Sequence, residues 1–225
     1  MSHPRYFLFI VGITLASTFR MPRKPLLYTD EHPYHIMARS NNKEWFYLPI
    51  IECWKIFSRH LFFAQKKFGF KVYLFVLMDN HYHLIGSCSS KHNLGEVMAW
   101  LQKSVSREIN KQAQRTNHIF GGPYKACLIR HPEHFSAVFK YVARNPVEAG
   151  ITSSVELYSY STLNTSLIPT TERDEWFADI PVASNDLRDW LNQSFQQETR
   201  LIIQQNLKKT VFEPLNRSNR RQCSF

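Results

Sequence analysis

No CxxC pair and no paired cysteine spacing occur in this 225-residue sequence; Cys53, Cys88, Cys127 and Cys223 stand far apart. That pattern excludes a zinc knuckle or a disulfide framework, suits a reducing compartment and leaves the thiols to packing. Repeats and low-complexity stretches are absent as well, which sets aside solenoids. The apolar run Tyr6 to Ala16 is too short to span a bilayer comfortably. With Arg5 ahead of it, that run has the shape of a short secretory signal or anchor. Met21-Pro22-Arg23-Lys24-Pro25, however, reads like a natural chain start, so residues 1–20 are taken as an N-terminal extension or the product of a misassigned start. A cytoplasmic location is expected. Acidic residues are also short: 18 Asp and Glu face 28 Lys and Arg, for a net charge of +10. The shortfall is confined to residues 1–164, which hold 10 acidic against 20 basic side chains, while residues 165–225 hold 8 of each. A basic region of this kind asks for an anionic partner, and nucleic acid is the first choice over a merely soluble surface.

What is present describes a globular chain, 44% hydrophobic and 14% aromatic, long enough for one domain with appendages or two small ones. Pro33 to Ser40 alternates as a strand and Asn41-Asn42 turns the chain. Leu48 to Phe68 has apolar residues at helical spacing, at Ile50, Ile51, Trp54, Phe57, Leu61 and Phe62, and Gly69 stops it. Phe70 to Met78 and His81 to Cys88 read as a hairpin about Asp79-Asn80. Asn93 can cap a helix from Leu94 to about Gln114, whose buried stripe is Leu94, Val97, Met98, Leu101, Val105 and Ile109. On its outer side Lys103, Arg107 and Lys111 form a basic ridge, either a solvated face or one that tracks phosphates. After Gly121-Gly122-Pro123 come a short strand, Tyr124 to Ile129, and a helix opened by His131-Pro132-Glu133 that buries Phe135, Val138, Phe139 and Val142. Strand, helix, two strands, helix, strand, helix predicts an α+β fold: a ferredoxin-like antiparallel sheet with helices mainly on one face. Pro169 to Thr171 reads as a linker, Asn185 to Leu207 as one helix, and Asn216 to Phe225 as a basic tail, so residues 165–225 form a helical C-terminal extension.

Two stretches carry chemistry. In a strand His81 and His83 share one face with Tyr82 on the other, which makes half of a metal site; histidines so spaced are also common on surfaces and in satisfied cores. In the last helix Tyr141 and Asn145 are one turn apart and present a phenol and an amide together at the margin of the apolar face. Pro146 predicts that the helix ends or kinks at Asn145, which then also reads as the cap of a short turn, and Tyr141 as a core-margin aromatic.

Taken in order, the segments Met21-Pro22-Arg23-Lys24-Pro25, Tyr34 to Asn42, Val76 to Leu84 and Tyr141 to Gly150 resemble the HUH single-tyrosine transposases, in particular the REP-associated tyrosine transposases. The resemblance covers about Met21 to Leu163 and makes residues 21–164 the expected transposase domain. It implies an enzyme that cuts and rejoins single-stranded or hairpin DNA at REP-like palindromes. On that reading Tyr141 is the nucleophile that takes the 5′ phosphate. His81, His83 and Asn145 hold a divalent metal, Mg2+ or Mn2+. The expected DNA contacts are Arg23, Lys24, Arg39, Lys103, Arg107, Lys111, Lys125 and Arg144. The sequence departs from the family at Asp79, where a proline is common, and at Gly121-Gly122-Pro123. The chain is expected to act as a monomer or dimer without stable membrane association. Two other functions fit the same residues: a repeat-hairpin binding protein or repressor that does not cleave, and an RNA-binding module that stacks bases on exposed sheet aromatics.

Overall fold

The computed structural model describes residues 26–168 and 170–213. Residues 1–25, with Arg23 and Lys24, and the tail from 214 onward lie outside that range, as does Pro169. Four strands, β1 (Tyr34–Arg39), β2 (Lys71–Leu77), β3 (His81–Ser87) and β4 (Lys125–Leu128), form one antiparallel sheet in the order β2-β3-β1-β4. Helix α1 (Ile50–Phe68) links β1 to β2 and α2 (Leu94–Gln112) links β3 to β4, which is the ferredoxin-like arrangement. Gly69, at φ 62°, takes the left-handed position that ends α1, and Asn93 with Glu96 forms a capping box at the start of α2.

Alternation along the strands sends side chains to two cores. Tyr34, Ile36, Phe75, Leu77, Tyr82 and Leu84 meet α1 and α2 on one face. Within α1 the buried stripe runs through Trp54, Phe57 and Leu61, but Ile51 and Phe62 are exposed and are not part of the core. On the opposite face Leu74, Val76, Ile85 and Cys127 meet Phe135, Val138, Phe139 and Val142 of α3 (Pro132–Glu148). A bulge between Val72 and Leu74 turns Tyr73 to this second face beside Leu74. The expected concentration of helices on one face holds for α1 and α2. Helix α3 crosses the other face, and the C-terminal extension completes its cover.

Helix α3 differs from its sequence reading. It runs through Pro146 to Glu148 and does not stop at Asn145. Pro146 has no N–H for the Val142 carbonyl, and the Asn145 side chain supplies donors in that turn, Nδ2 lying 2.9 Å from the Tyr141 carbonyl and 3.5 Å from that of Val142.

The chain after α3 is more integrated than a linker and helix. Leu77 N–H donates to Tyr160 and Thr162 N–H to Phe75, at the end of the expected domain, and Thr171 N–H of the C-terminal extension donates to Val72, so that together they cover the β2 edge. Leu128 N–H donates to Thr210 and Phe212 N–H to Leu128 at the β4 edge. Between them, Trp176, Phe177 and Ile180 enter the second core with two helices, α4 (Ser184–Asn192) and α5 (Gln197–Asn206), where one was expected. On a single straight helix Trp190 and Ile203, 13 residues apart, would point roughly 140° from each other. The break at residues 193–196 lets both be buried.

Cys53, Cys88 and Cys127 are buried and unpaired. Among the described residues no helix is long and apolar enough to cross a membrane.

Candidate active site

The pleat of β3 settles which way the histidines face. Tyr82 is buried in the α1/α2 core, so His81 and His83 point to the α3 side, their ring centroids 5.2 Å apart and the planes near perpendicular. Helix α3 lays Tyr141 edge-on against His83, with 6.2 Å between centroids. One turn on, Asn145 stands over Tyr141, and its amide nitrogen donates to the Tyr141 carbonyl; this leaves Oδ1 as the end able to accept or ligate. Tyr141, Asn145 and His81 are half-buried, whereas His83 is buried.

Burial keeps both imidazoles neutral. It lowers His81 to about 4, with the Arg39 guanidinium adding to the effect, and holds His83 well below the usual histidine range, helped by His35, His81 and Arg39. Burial raises the Tyr141 phenol above its ordinary value, while a hydrogen bond from the Gln204 side chain of α5 and the charge of Arg200 pull the other way. Arg200 is in turn held by Glu148, at 2.9 Å.

Of the expected DNA contacts, Arg39 lies with the histidines. It faces His81 across the β1–β3 pairing and is exposed. Lys103 and Arg107 line a cleft of about 470 Å³ between α2 and residues 116–123, on the opposite side of the sheet from Tyr141, and Lys111 is exposed on the same helix. Lys125 opens onto a second cleft, of about 780 Å³, with Lys208 and Lys209. Arg144 is a correction: it is 4% exposed, paired with Glu148 at 2.8 Å, and donates to the Leu191 and Asn192 carbonyls. Its guanidinium ties α3 to the end of α4 and is not presented to a ligand. Tyr73 and Phe75, the strand aromatics an RNA-stacking platform would use, are buried on opposite faces.

Three further residues belong to this neighbourhood and were not singled out from sequence. His35 of β1 stacks on His83 and shares a hydrogen bond with it, Nε2 to Nδ1, at 2.8 Å. Asn80 accepts at Oδ1, 2.8 Å from His81 Nδ1, and Gln204 reaches the Tyr141 hydroxyl. Residue parity on β1 put His35 on the histidine face; nothing local pointed to Gln204, which arrives from 63 positions along the chain.

Among the described residues no group of three or more His, Cys, Asp or Glu side chains is placed to hold a metal ion. The expected donor set is the two neutral imidazoles of His81 and His83 and the amide oxygen of Asn145. Such a set fits a hard divalent ion only if phosphate and water complete its shell, as they commonly do for magnesium.

The structure sets a tyrosine against a histidine pair on a ferredoxin-like sheet with Arg39 beside them, and the family match makes the chain a DNA-processing transposase. Residues 29–145 match the family described as Transposase IS200 like, and the chain belongs to that family. The matched region runs from just before β1 to Asn145 and so contains the whole sheet with His81, His83, Tyr141 and Asn145. Among solved structures, a REP-associated tyrosine transposase bound to a REP hairpin shares the fold, with a TM-score of 0.55 and 14% identity over 68% of this chain and 93% of that one. A candidate transposase from Deinococcus radiodurans R1 aligns with a TM-score of 0.37 and 15% identity over 55% of this chain and 94% of the other. No curated protein matches the sequence.

Proposed function

We propose that this chain is a metal-dependent tyrosine transposase that cuts single-stranded or hairpin DNA and rejoins it through a 5′-phosphotyrosine on Tyr141. The observation that carries the reading is the placement of the Tyr141 ring against His83, with His81 and Arg39 beside it. Attack by the Tyr141 oxygen on phosphorus forms one P–O bond and breaks the bond to O3′. The phenol loses its proton and the departing O3′ gains one as a free 3′ hydroxyl. Because the phosphodiester energy is kept in the phosphotyrosine, the reverse attack by a 3′ hydroxyl reseals DNA without a nucleotide cofactor.

His81, His83 and Asn145 would hold Mg2+ or Mn2+, which supplies Lewis-acid polarisation of the scissile phosphate. The neutrality of the two imidazoles supports that role, because a protonated ring cannot ligate. Arg39 adds a cation where phosphate charge builds up in the transition state. The structural neighbour was solved with a REP hairpin, and we take REP-like palindromes as the substrate class.

Covalent trapping tests the proposal. The protein is mixed with end-labelled single-stranded DNA that carries a hairpin repeat from beside its own gene, in Mg2+ or Mn2+, and run on a denaturing gel. A labelled protein band that disappears with Tyr141→Phe and with chelator is expected, the label on the 3′ side of the cut being the one retained. Hairpin binding in a shift assay without any covalent band would move the reading to a non-cleaving repeat-binding protein.

A further inference from the structure

We propose that Asn80 and His35 are positioning residues that set which ring nitrogen of His81 and of His83 carries the proton, leaving both Nε2 lone pairs free for a ligand. The inference rests on the reading of these two histidines as metal ligands and deepens it.

The argument at His81 follows from donor and acceptor chemistry. Both ends of the Asn80 amide are engaged: Nδ2 lies 2.9 Å from the Lys43 carbonyl and Oδ1 2.8 Å from His81 Nδ1. A carbonyl oxygen can only accept, so the nitrogen end of the amide must face Lys43 and the oxygen end the imidazole. An amide oxygen can only accept as well, so His81 Nδ1 bears the proton. In a neutral ring Nε2 is then unprotonated. The anchor is itself held in an unusual backbone: Asn42 at φ 54° and Lys43 at φ 61° both occupy the left-handed region, and Lys43 N–H and Glu44 N–H close the turn onto Ser40 and Asn41. Non-glycine residues enter that region at a cost, and such strain clusters at functional sites. Here it aims the carbonyl that orients Asn80.

His83 is backed from the other side. His35 lies diagonally across the β1–β3 pairing, its ring centroid 5.1 Å from that of His83 with 27° between planes, and it is 4% exposed. Only one proton can occupy the 2.8 Å contact between His35 Nε2 and His83 Nδ1. When His83 donates it, His83 Nε2 is open to a ligand; when His35 donates it, the His83 proton sits on Nε2 and blocks ligation. His35 is therefore the acceptor in the ligating state, and Asn80 and His35 play the part that outer-shell carbonyls and carboxylates commonly play behind metal-bound histidines.

Ring-nitrogen NMR of the full-length, metal-free protein near neutral pH reads the assignment directly. His81 is expected as the Nδ1–H tautomer in the wild type and in Asn80→Asp, which keeps an acceptor oxygen, and as a mixture richer in Nε2–H in Asn80→Ala. His35→Phe is expected to move His83 toward Nε2–H. Mn2+ affinity, measured by titration calorimetry on the same proteins, should fall about 10- to 100-fold in Asn80→Ala and His35→Phe and recover in Asn80→Asp. An unprotonated Nδ1 on His81 in the wild type, or Mn2+ affinities within twofold of wild type for both Asn80→Ala and His35→Phe, overturns the proposal. Failure of the underlying ligand reading looks different: His81→Ala and His83→Ala would then bind Mn2+ as the wild type does, whatever the tautomers.

Discussion

At the scale of single residues, the phenol of Tyr141, the proposed nucleophile, is held in opposing fields. Burial favours the neutral phenol of Tyr141, and Gln204 and Arg200 favour its ionised form. Replacing Gln204 with Leu removes a hydrogen bond to the phenolate, so its pKa rises further and less of the reactive form exists at a given pH. The expected result is a several-fold loss of DNA cleavage at neutral pH, consistent with about 1 kcal/mol for one hydrogen bond. The pH–rate profile should shift to higher pH, so that activity recovers in alkaline buffer; a loss of equal size at every pH would mean that Gln204 acts on packing alone. Arg144 shows the opposite case. Its charge and its place beside Tyr141 and Asn145 in sequence suggested a DNA contact, yet its partners are Glu148 and two main-chain carbonyls at the end of α4. Neighbours in sequence on a helix point in different directions, and the residue before Asn145 faces the C-terminal extension.

At the scale of elements, α3 shows how a side chain can carry a helix past proline. The Asn145 amide nitrogen faces the Tyr141 and Val142 carbonyls, the latter being the one that Pro146 leaves without its N–H partner, and the proposed ligand role falls to the oxygen of the same side chain. Asn145→Ala is expected to lower stability by about 1 kcal/mol in denaturant melts, the net worth of the lost hydrogen bonding, and also to weaken Mn2+ binding. A variant that loses metal binding at unchanged stability would separate the two roles. The β2–β3 hairpin shows the same economy, since its tip residue Asn80 both anchors residues 41–44 and touches His81.

At the scale of the molecule, the sheet has two covered faces, and the second depends on residues well beyond the matched family region. Trp176, Phe177, Trp190 and Ile203 bury against α3 and the sheet, and α5 delivers Gln204 to Tyr141. Ending the chain after Leu163 would expose Phe135, Phe139 and Tyr73. Burying one such large side chain contributes about 1.5–3 kcal/mol, and a domain is stable by only about 5–15 kcal/mol in all. The truncated chain is therefore expected to be unfolded or aggregated at 37 °C by circular dichroism and to bind a hydrophobic dye. A cooperative melt close to that of the full chain would show that the extension is dispensable for the fold.

Sequence alone determined a good deal of this. Apolar periodicity, the Gly69 stop and the Asn93 cap specify α1, α2 and the hairpin, because these are decided by contacts a few residues apart. Strand alternation was enough to set His81 and His83 on one face, and helical spacing to stack Tyr141 with Asn145. The course of α3 through Pro146, the break between α4 and α5, the buried fate of Arg144, and the reach of His35, Asn80 and Gln204 were decided only by the tertiary structure. Each depends on a partner far along the chain, where local pattern carries no information about which donor meets which acceptor. The same distance explains why Thr171, in a stretch that reads as a linker, meets a sheet edge: strand groups of Val72, Phe75 and Leu77 need partners, and Thr171, Thr162 and Tyr160 supply them.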